Sequence, residues 1–204
     1  MHLIPTQDET VALLRDTGAL RDGHFEYSNG MHSNEYLQVP VAMRHSQDHR
    51  MLSVALSRKL RANPEIRAIV PELSIVVPAT AGLPVAYGVC EALRAKQVYW
   101  AERERDNDPL RFRQFIKPEK GEQVVLVDDI LRTGSKLCEL KNLLESEGAT
   151  VIGLAVIIYQ PTPNTVKFGN LPLYYLAKLD ASYYADSAHC ELCKAGVPFE
   201  KVWI

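Results

Sequence analysis

Apolar positions along this chain follow two periods, and the alternation between them lays out the elements. Residues 6–18 carry Val11, Leu13 and Leu14 on one helical face, opened by Thr6 with Glu9 three residues on and closed by Gly18. That is a capping box with a glycine stop. A second helix follows over 46–60, capped by Ser46, with Met51, Leu52, Ala55, Leu56 and Leu60 as its inner stripe. SIVVPATAG (74–82) reads as a short buried strand breaking into a loop of small residues, and 82–95 continues as a helix with Pro84 in its first turn. VYWAERE (98–104) is a strand with a charged exit, and VVLV (124–127) is another. Residues 134–148 form a helix with Leu137, Leu140 and Leu144 on one face and Gly148 at its end. TVIGLAVIIY (150–159) is a fully apolar strand, and LPLYYLAKL (171–179) is one more. FEYSNGMHSNEYLQVP (25–40) reads as a hairpin or irregular ribbon, and 106–122 as a polar, mobile segment. Strands alternating with helices of this length predict an α/β fold with a mainly parallel sheet.

Composition narrows the class. A chain of 204 residues predicts one domain and buries roughly 70% of its unfolded surface without staples. The formal net charge of -2 offers no global field to nucleic acid or an acidic membrane. No apolar run approaches the ~20 residues of a membrane span, and MHLIPTQDET lacks the features of a signal peptide. The 4 cysteines, Cys90, Cys138, Cys190 and Cys193, are spaced too unevenly for a disulfide framework. A cytoplasmic setting is the expectation.

Two strand exits carry the candidate chemistry. In a parallel sheet, ligands bind beyond the carboxyl ends of the strands. After VVP come Ala79, Thr80, Ala81 and Gly82, whose small side chains let backbone approach a ligand. After VVLV come Asp128 and Asp129, then Thr133, Gly134 and Ser135 at a helix start. Adjacent carboxylates raise the cost of ionising each other, so something should sit opposite them. A helix N-terminus is a seat for phosphate. A sugar phosphate meets both demands, with hydroxyls toward the acids and phosphate toward the amides. Read alone, Thr-Gly-Ser is also a plain helix cap. Neither a Walker motif nor a GxGxxG fingerprint occurs.

VVLVDDILRTGS resembles the phosphoribosyl-pyrophosphate (PRPP) loop of type I phosphoribosyltransferases: a hydrophobic strand, two acids, two variable residues, then Thr-(Thr/Ala)-Gly-(Thr/Ser). The order of segments is most similar to the orotate phosphoribosyltransferase family. FEYSNGMHSNEYLQ is similar to its Phe-x-x-x-Ser-Gly-x-x-Ser-x-x-Tyr ribbon, VVPATAG to its pyrophosphate loop, WAERE to its charged strand end, and CELCKAGVP to the tail of some members. The resemblance implies a single domain over 1–204, with a small hood contributed by about 1–45 and 160–204. It implies transfer of ribose 5-phosphate from PRPP to a nitrogen base, orotate first among them, with pyrophosphate released. A non-catalytic PRPP- or nucleotide-binding regulator, or a salvage enzyme for another base, is the alternative. Asp128 and Asp129 would take the ribose hydroxyls and hold Mg²⁺ through water. Leu131, Arg132, Thr133, Gly134 and Ser135 would wrap the 5-phosphate, with Ile130 also among the PRPP-binding residues. Ala79, Thr80, Ala81 and Gly82 would approach the pyrophosphate, which Arg103 and Arg105 would neutralise, Arg105 as a catalytic group. Ser28, Gly30, Tyr36, Arg132 and Gln160 would face the base. A homodimer is implied, with no nucleic acid or membrane partner.

The departures from the family pattern fall in the base pocket and the loop. Ser28 stands where the family has lysine, and Gln160 where it often has an arginine for the orotate carboxylate. Residues 103–116 hold Arg103, Arg105, Arg111 and Arg113 but neither lysine nor histidine. Arginine clamps phosphate yet is a poor proton donor. Cys190 and Cys193 are half of a zinc site, but Cys90 and Cys138 lie in predicted helices, so a packed, redox-idle pair is expected. His24, His32, His45 and His49 lack ligand spacing and read as surface or capping residues, with His32 able to touch a base.

Overall fold

A computed structural model describes residues 4–105 and 107–202. Residues 1–3 of the N-terminus read above, and Asp106 of the polar segment, lie outside the described residues. In chain order the elements are α1 (Gln7–Asp16), β1 (Leu20–Tyr27), β2 (His32–Leu37), α2 (Pro40–Met43), α3 (Ser46–Ala62), α4 (Pro64–Ile69), β3 (Ser74–Pro78), α5 (Leu83–Leu93), β4 (Gln97–Glu102), β5 (Arg111–Phe112), β6 (Gln123–Leu131), α6 (Ser135–Ser146), β7 (Thr150–Tyr159), β8 (Leu173–Lys178), β9 (Tyr183–Tyr184), α7 (Glu191–Lys194) and β10 (Glu200–Val202).

The main sheet has the order β5-β4-β3-β6-β7-β8. Every pairing in it is parallel except β4–β5. Parallel strands are buried on both faces, and the sequence obliges: all five residues of β3 and most of β6 and β7 are buried. On one face α1, α3 and α5 pack Leu14, Leu52, Leu56, Leu60 and Val89 against the sheet; on the other α6 contributes Leu137, Leu140 and Leu144. Each fully buried leucine contributes about 1.5–3 kcal/mol. α3 and α5 approach closely because Gly88 has no side chain: a Cβ there would collide with Ser53 Oγ and come within 2.8 Å of the His49 ring.

The chain leaves β3 toward β4 and leaves β6 in the opposite direction, toward β7. The centre of the sheet is therefore a topological switch point, where a crevice opens at the carboxyl ends of two adjacent strands. A second, four-stranded sheet, β10-β1-β2-β9, is built from the N- and C-terminal segments. The ribbon is thus a real hairpin, but it starts at Leu20, with a bulge between Asp22 and Phe25.

Several expectations are corrected. α1 has the capping box on Thr6 as read, but α3 is preceded by His45 rather than capped by Ser46. Met51 is 44% exposed and is not part of the α3 stripe. The polar segment contains β5, which pairs with the exit of β4 and partly orders it. β6 runs four residues past VVLV: Asp128 pairs with Val156, Ile130 with Ile158 and Leu131 with Tyr159. His24 and His32 are buried, not superficial; only His45, at the start of α3, and His49, bonded to Pro84 O at 2.9 Å, keep local roles.

Candidate active site

One cavity of about 540 Å³ opens at the switch point. Its walls come from the end of β3 (Pro78, Ala79, Thr80, Ala81), from β6 and the loop after it (Asp128, Asp129, Ile130, Arg132, Thr133, Gly134), from the start of α6 (Ser135, Lys136, Leu137), and from the small sheet and its exit (Tyr36, Leu37, Gln38, Pro40). The peptide between Ala79 and Thr80 is cis.

Asp128 and Asp129 occupy the tip of the buried β6, each only 9% exposed. Burial raises the Asp128 carboxyl well above its ordinary range, and the neighbouring Asp129 charge adds to that; Lys136 opposes it. Burial also raises Asp129, against hydrogen bonds and the Arg132 charge. In each carboxylate Oδ1 accepts a backbone N–H at 2.9 Å, from Asp129 and Ile130 respectively. The two carboxyl groups also share a side-chain hydrogen bond, which favours one proton between them. Two adjacent carboxyl groups facing a cavity form an oxygen donor set suited to Mg²⁺ and to sugar hydroxyls. Behind them Gly82 is obligatory: a Cβ would lie 2.5 Å from Asp128 Oδ1 and 2.7 Å from Val77 Cγ2.

The loop 132–135 turns at Gly134, whose φ of 76° suits glycine. No side chain caps α6. The amides of Thr133, Gly134, Lys136 and Leu137 have no protein acceptor among the described residues, and Ser135 N makes only a long 3.4 Å bond to Thr133 Oγ1. These donors, at the positive end of a twelve-residue helix, converge on an anion position. Residues 162–166 brace the loop from outside: Val166 N donates to Thr133 O at 2.8 Å and Thr165 Oγ1 to Arg132 O at 2.5 Å.

Arg132 points across to the small sheet. Its Nε donates to Gln160 Oε1 at 2.8 Å and its Nη2 to Leu37 O at 3.1 Å. Tyr183 OH donates to the same Gln160 Oε1 at 2.8 Å. Burial pushes the Tyr183 phenol up to about 12, so it stays a donor. Gln160 is 1% exposed and its Nε2 has no partner among the described residues. Gln160 and Tyr183 thus orient the Arg132 guanidinium, leaving three of its five N–H groups uncommitted.

Sequence reading and structure diverge at several residues. Ala79, Thr80, Ala81, Asp128, Asp129, Ile130, Arg132, Thr133, Gly134, Ser135 and Tyr36 do line one cavity. Leu131 is 1% exposed, still in β6 and absent from the cavity lining; the loop begins one residue later. Gly82 lies behind the wall and Gln160 behind Arg132. Ser28 and Gly30 sit in the β1–β2 turn, outside the lining. Arg103 is spent on a two-pronged ion pair with Glu139 of α6 and on Asp108 O, and Arg105 is exposed outside the cavity. Lys136 and Tyr183 were given no role by sequence reasoning. Lysine after the Thr-Gly-Ser turn was the available signal for the first; nothing local marks the second.

A cavity that sets two carboxylates against loop amides suits a sugar phosphate. Residues 71–167 match the model of the phosphoribosyl transferase domain. The chain is 34% identical over 189 residues to the orotate phosphoribosyltransferase of Carboxydothermus hydrogenoformans, covering 93% of each chain, and 35% identical to that of Thermotoga maritima, covering 93% of this chain and 94% of the relative. The fold is similar to a crystal structure of orotate phosphoribosyltransferase from Aeropyrum pernix (TM-score 0.65, 22% identity, 82% of this chain and 92% of that one). The chain belongs to the orotate phosphoribosyltransferase family.

Proposed function

We propose that this protein transfers the ribose 5-phosphate of PRPP to orotate, giving orotidine 5′-phosphate and pyrophosphate. The observation that carries it is the opposition, in one cavity, of two nearly buried carboxylates to a ring of unpaired amides at the start of α6. The 5-phosphate takes the amides of 133–137. The ribose hydroxyls donate to Asp128 and Asp129. The backbone of 79–81 approaches the pyrophosphate.

Mg²⁺ bound at Asp128 and Asp129, through water and substrate, would neutralise charge on the leaving pyrophosphate. The protein's own contribution is positional and electrostatic. The carboxylate pair stands beside the anomeric carbon, where cationic character develops as the bond to pyrophosphate loosens. The base nitrogen is the nucleophile, so no protein nucleophile is required. Arg105, on the exit of β4, is proposed to meet the departing pyrophosphate, Arg103 being committed to Glu139.

Arg132 supports orotate as the base. The family's arginine is missing at 160, but a guanidinium is delivered to the same region from the phosphate loop and held by Gln160. Orotate carries a carboxylate, and the three free N–H groups of Arg132 are matched to it. Incubation with PRPP, Mg²⁺ and orotate should release pyrophosphate in step with loss of orotate. No release with orotate, adenine, uracil or hypoxanthine would reject the activity.

A further inference from the structure

Outside the substrate cavity's lining, the second sheet collects four side chains that the proposed reaction does not use. His24 sits at the β1 bulge, His32 on β2, Cys190 immediately before α7 and Cys193 within it. Their ligand atoms all lie within 4.8 Å of one another. His24 Nε2 is 2.8 Å from His32 Nδ1, 3.4 Å from Cys190 Sγ and 3.6 Å from Cys193 Sγ; Cys193 Sγ is 3.6 Å from His32 Nδ1. His24, His32 and Cys190 are buried, Cys193 half-buried, and both cysteines are free thiols.

We propose that His24, His32, Cys190 and Cys193 form a structural zinc site that fastens the C-terminal tail to the small sheet. A tetrahedral Zn²⁺ with ligands at ~2.3 Å (sulfur) and ~2.05 Å (nitrogen) sets sulfur–nitrogen edges of about 3.6 Å and a nitrogen–nitrogen edge of about 3.3 Å. Three of the four sulfur–nitrogen distances already match, the fourth lies within 4.8 Å, and the two imidazoles need to part by about half an ångström. The supporting shell is also present. His24 Nδ1 lies 2.8 Å from Val197 O, so the proton resides on that nitrogen and the Nε2 lone pair turns into the cluster. The Phe199 ring stands edge-on to both imidazoles, centroids 5.6 and 5.3 Å away, and shields them. Two thiols give up their protons to solvent on binding and two imidazoles bind neutral, so Zn²⁺ and two thiolates leave no net charge in the cluster. Four protein ligands fill the sphere and leave no position for substrate, which makes the site structural. The CxxC pair thus has its second half in two histidines from a hairpin some 160 residues earlier, a partnership that spacing along the chain conceals.

The consequence is mechanical. The cluster joins α7 to the hairpin beside the short β1–β10 pairing, on the sheet that also supplies Tyr36 to the cavity and Tyr183 to Gln160. Elemental analysis of the full chain, purified under reducing conditions from zinc-supplemented cells, tests the site without reference to turnover. One zinc per chain is expected. Replacement by Co²⁺ should give the visible absorption of a tetrahedral cobalt–thiolate centre. Cys193→Ser, at the half-buried ligand, and His24→Ala should each lower bound metal at least ~10-fold, with circular dichroism checking that Cys193→Ser still folds. Chelation should speed proteolysis after residue 185 while leaving 74–160 protected. Wild-type protein that takes up neither Zn²⁺ nor Co²⁺, or that yields a Cys190–Cys193 disulfide in place of metal, would overturn the proposal.

Discussion

Replacing Arg132 by alanine isolates base recognition from phosphoribosyl recognition. Two of the five guanidinium N–H groups are spent on Gln160 and Leu37, and three remain for a ligand. A carboxylate can take two of these, at ~1.5–3 kcal/mol per charge-assisted bond. The cavity is open to water, which reduces the expected loss to about 2–4 kcal/mol. At 1.4 kcal/mol per factor of ten, kcat/KM for orotate falls about 30- to 700-fold. The assay is initial-rate pyrophosphate release at saturating PRPP and Mg²⁺, with orotate and uracil compared. Uracil lacks the carboxylate, so whatever rate it supports should be nearly unchanged, and any preference for orotate should shrink. PRPP affinity should hold, because the phosphate is met by loop amides and not by this side chain. A fall in orotate kcat/KM of less than about threefold, or an equal fall for both bases, would refute the pairing of Arg132 with the carboxylate.

Two further outcomes follow from the acidic pair. Both aspartates have raised carboxyl pKa values in the folded protein, so their burial costs stability once the pH rises above the unfolded carboxylate range, and the cost disappears on acidification. Asp128→Asn should therefore melt higher than the wild type at pH 8, converge with it near pH 4, and lose at least ~100-fold in kcat; a lower melting point at pH 8 would contradict the electrostatic reading. Gly82→Ala drives a methyl group into Asp128 and Val77, so it should destabilise by about 1–3 kcal/mol and depress turnover; a variant with wild-type melting and rate would show that the wall has slack.

The sheet, its flanking helices and the phosphate loop were legible because their signals are local. Apolar runs, a capping box and a strand followed by two acids each declare themselves within a dozen residues. The boundaries were less so: Asp128 to Leu131 look like a loop because two are charged, yet they remain in β6 because β7 pairs alongside them. Function that depends on distant segments was largely hidden. Gln160 was read as a lost arginine, and only the fold shows that it and Tyr183, from two other segments, orient Arg132. Arg103 looked free for phosphate because nothing in its neighbourhood reveals Glu139, thirty-six residues on. His24 and His32 became partners of Cys190 and Cys193 through pairing of the hairpin with the tail.

The proposed chemistry requires a sugar phosphate seated across the tips of β3 and β6. Titration of ¹⁵N-labelled protein with ribose 5-phosphate and Mg²⁺ tests this most directly. The amide resonances of Thr133, Gly134, Ser135, Lys136 and Leu137 should shift together, and ribose alone should leave them in place. Shifts confined to other parts of the chain, with these five unmoved, would contradict it.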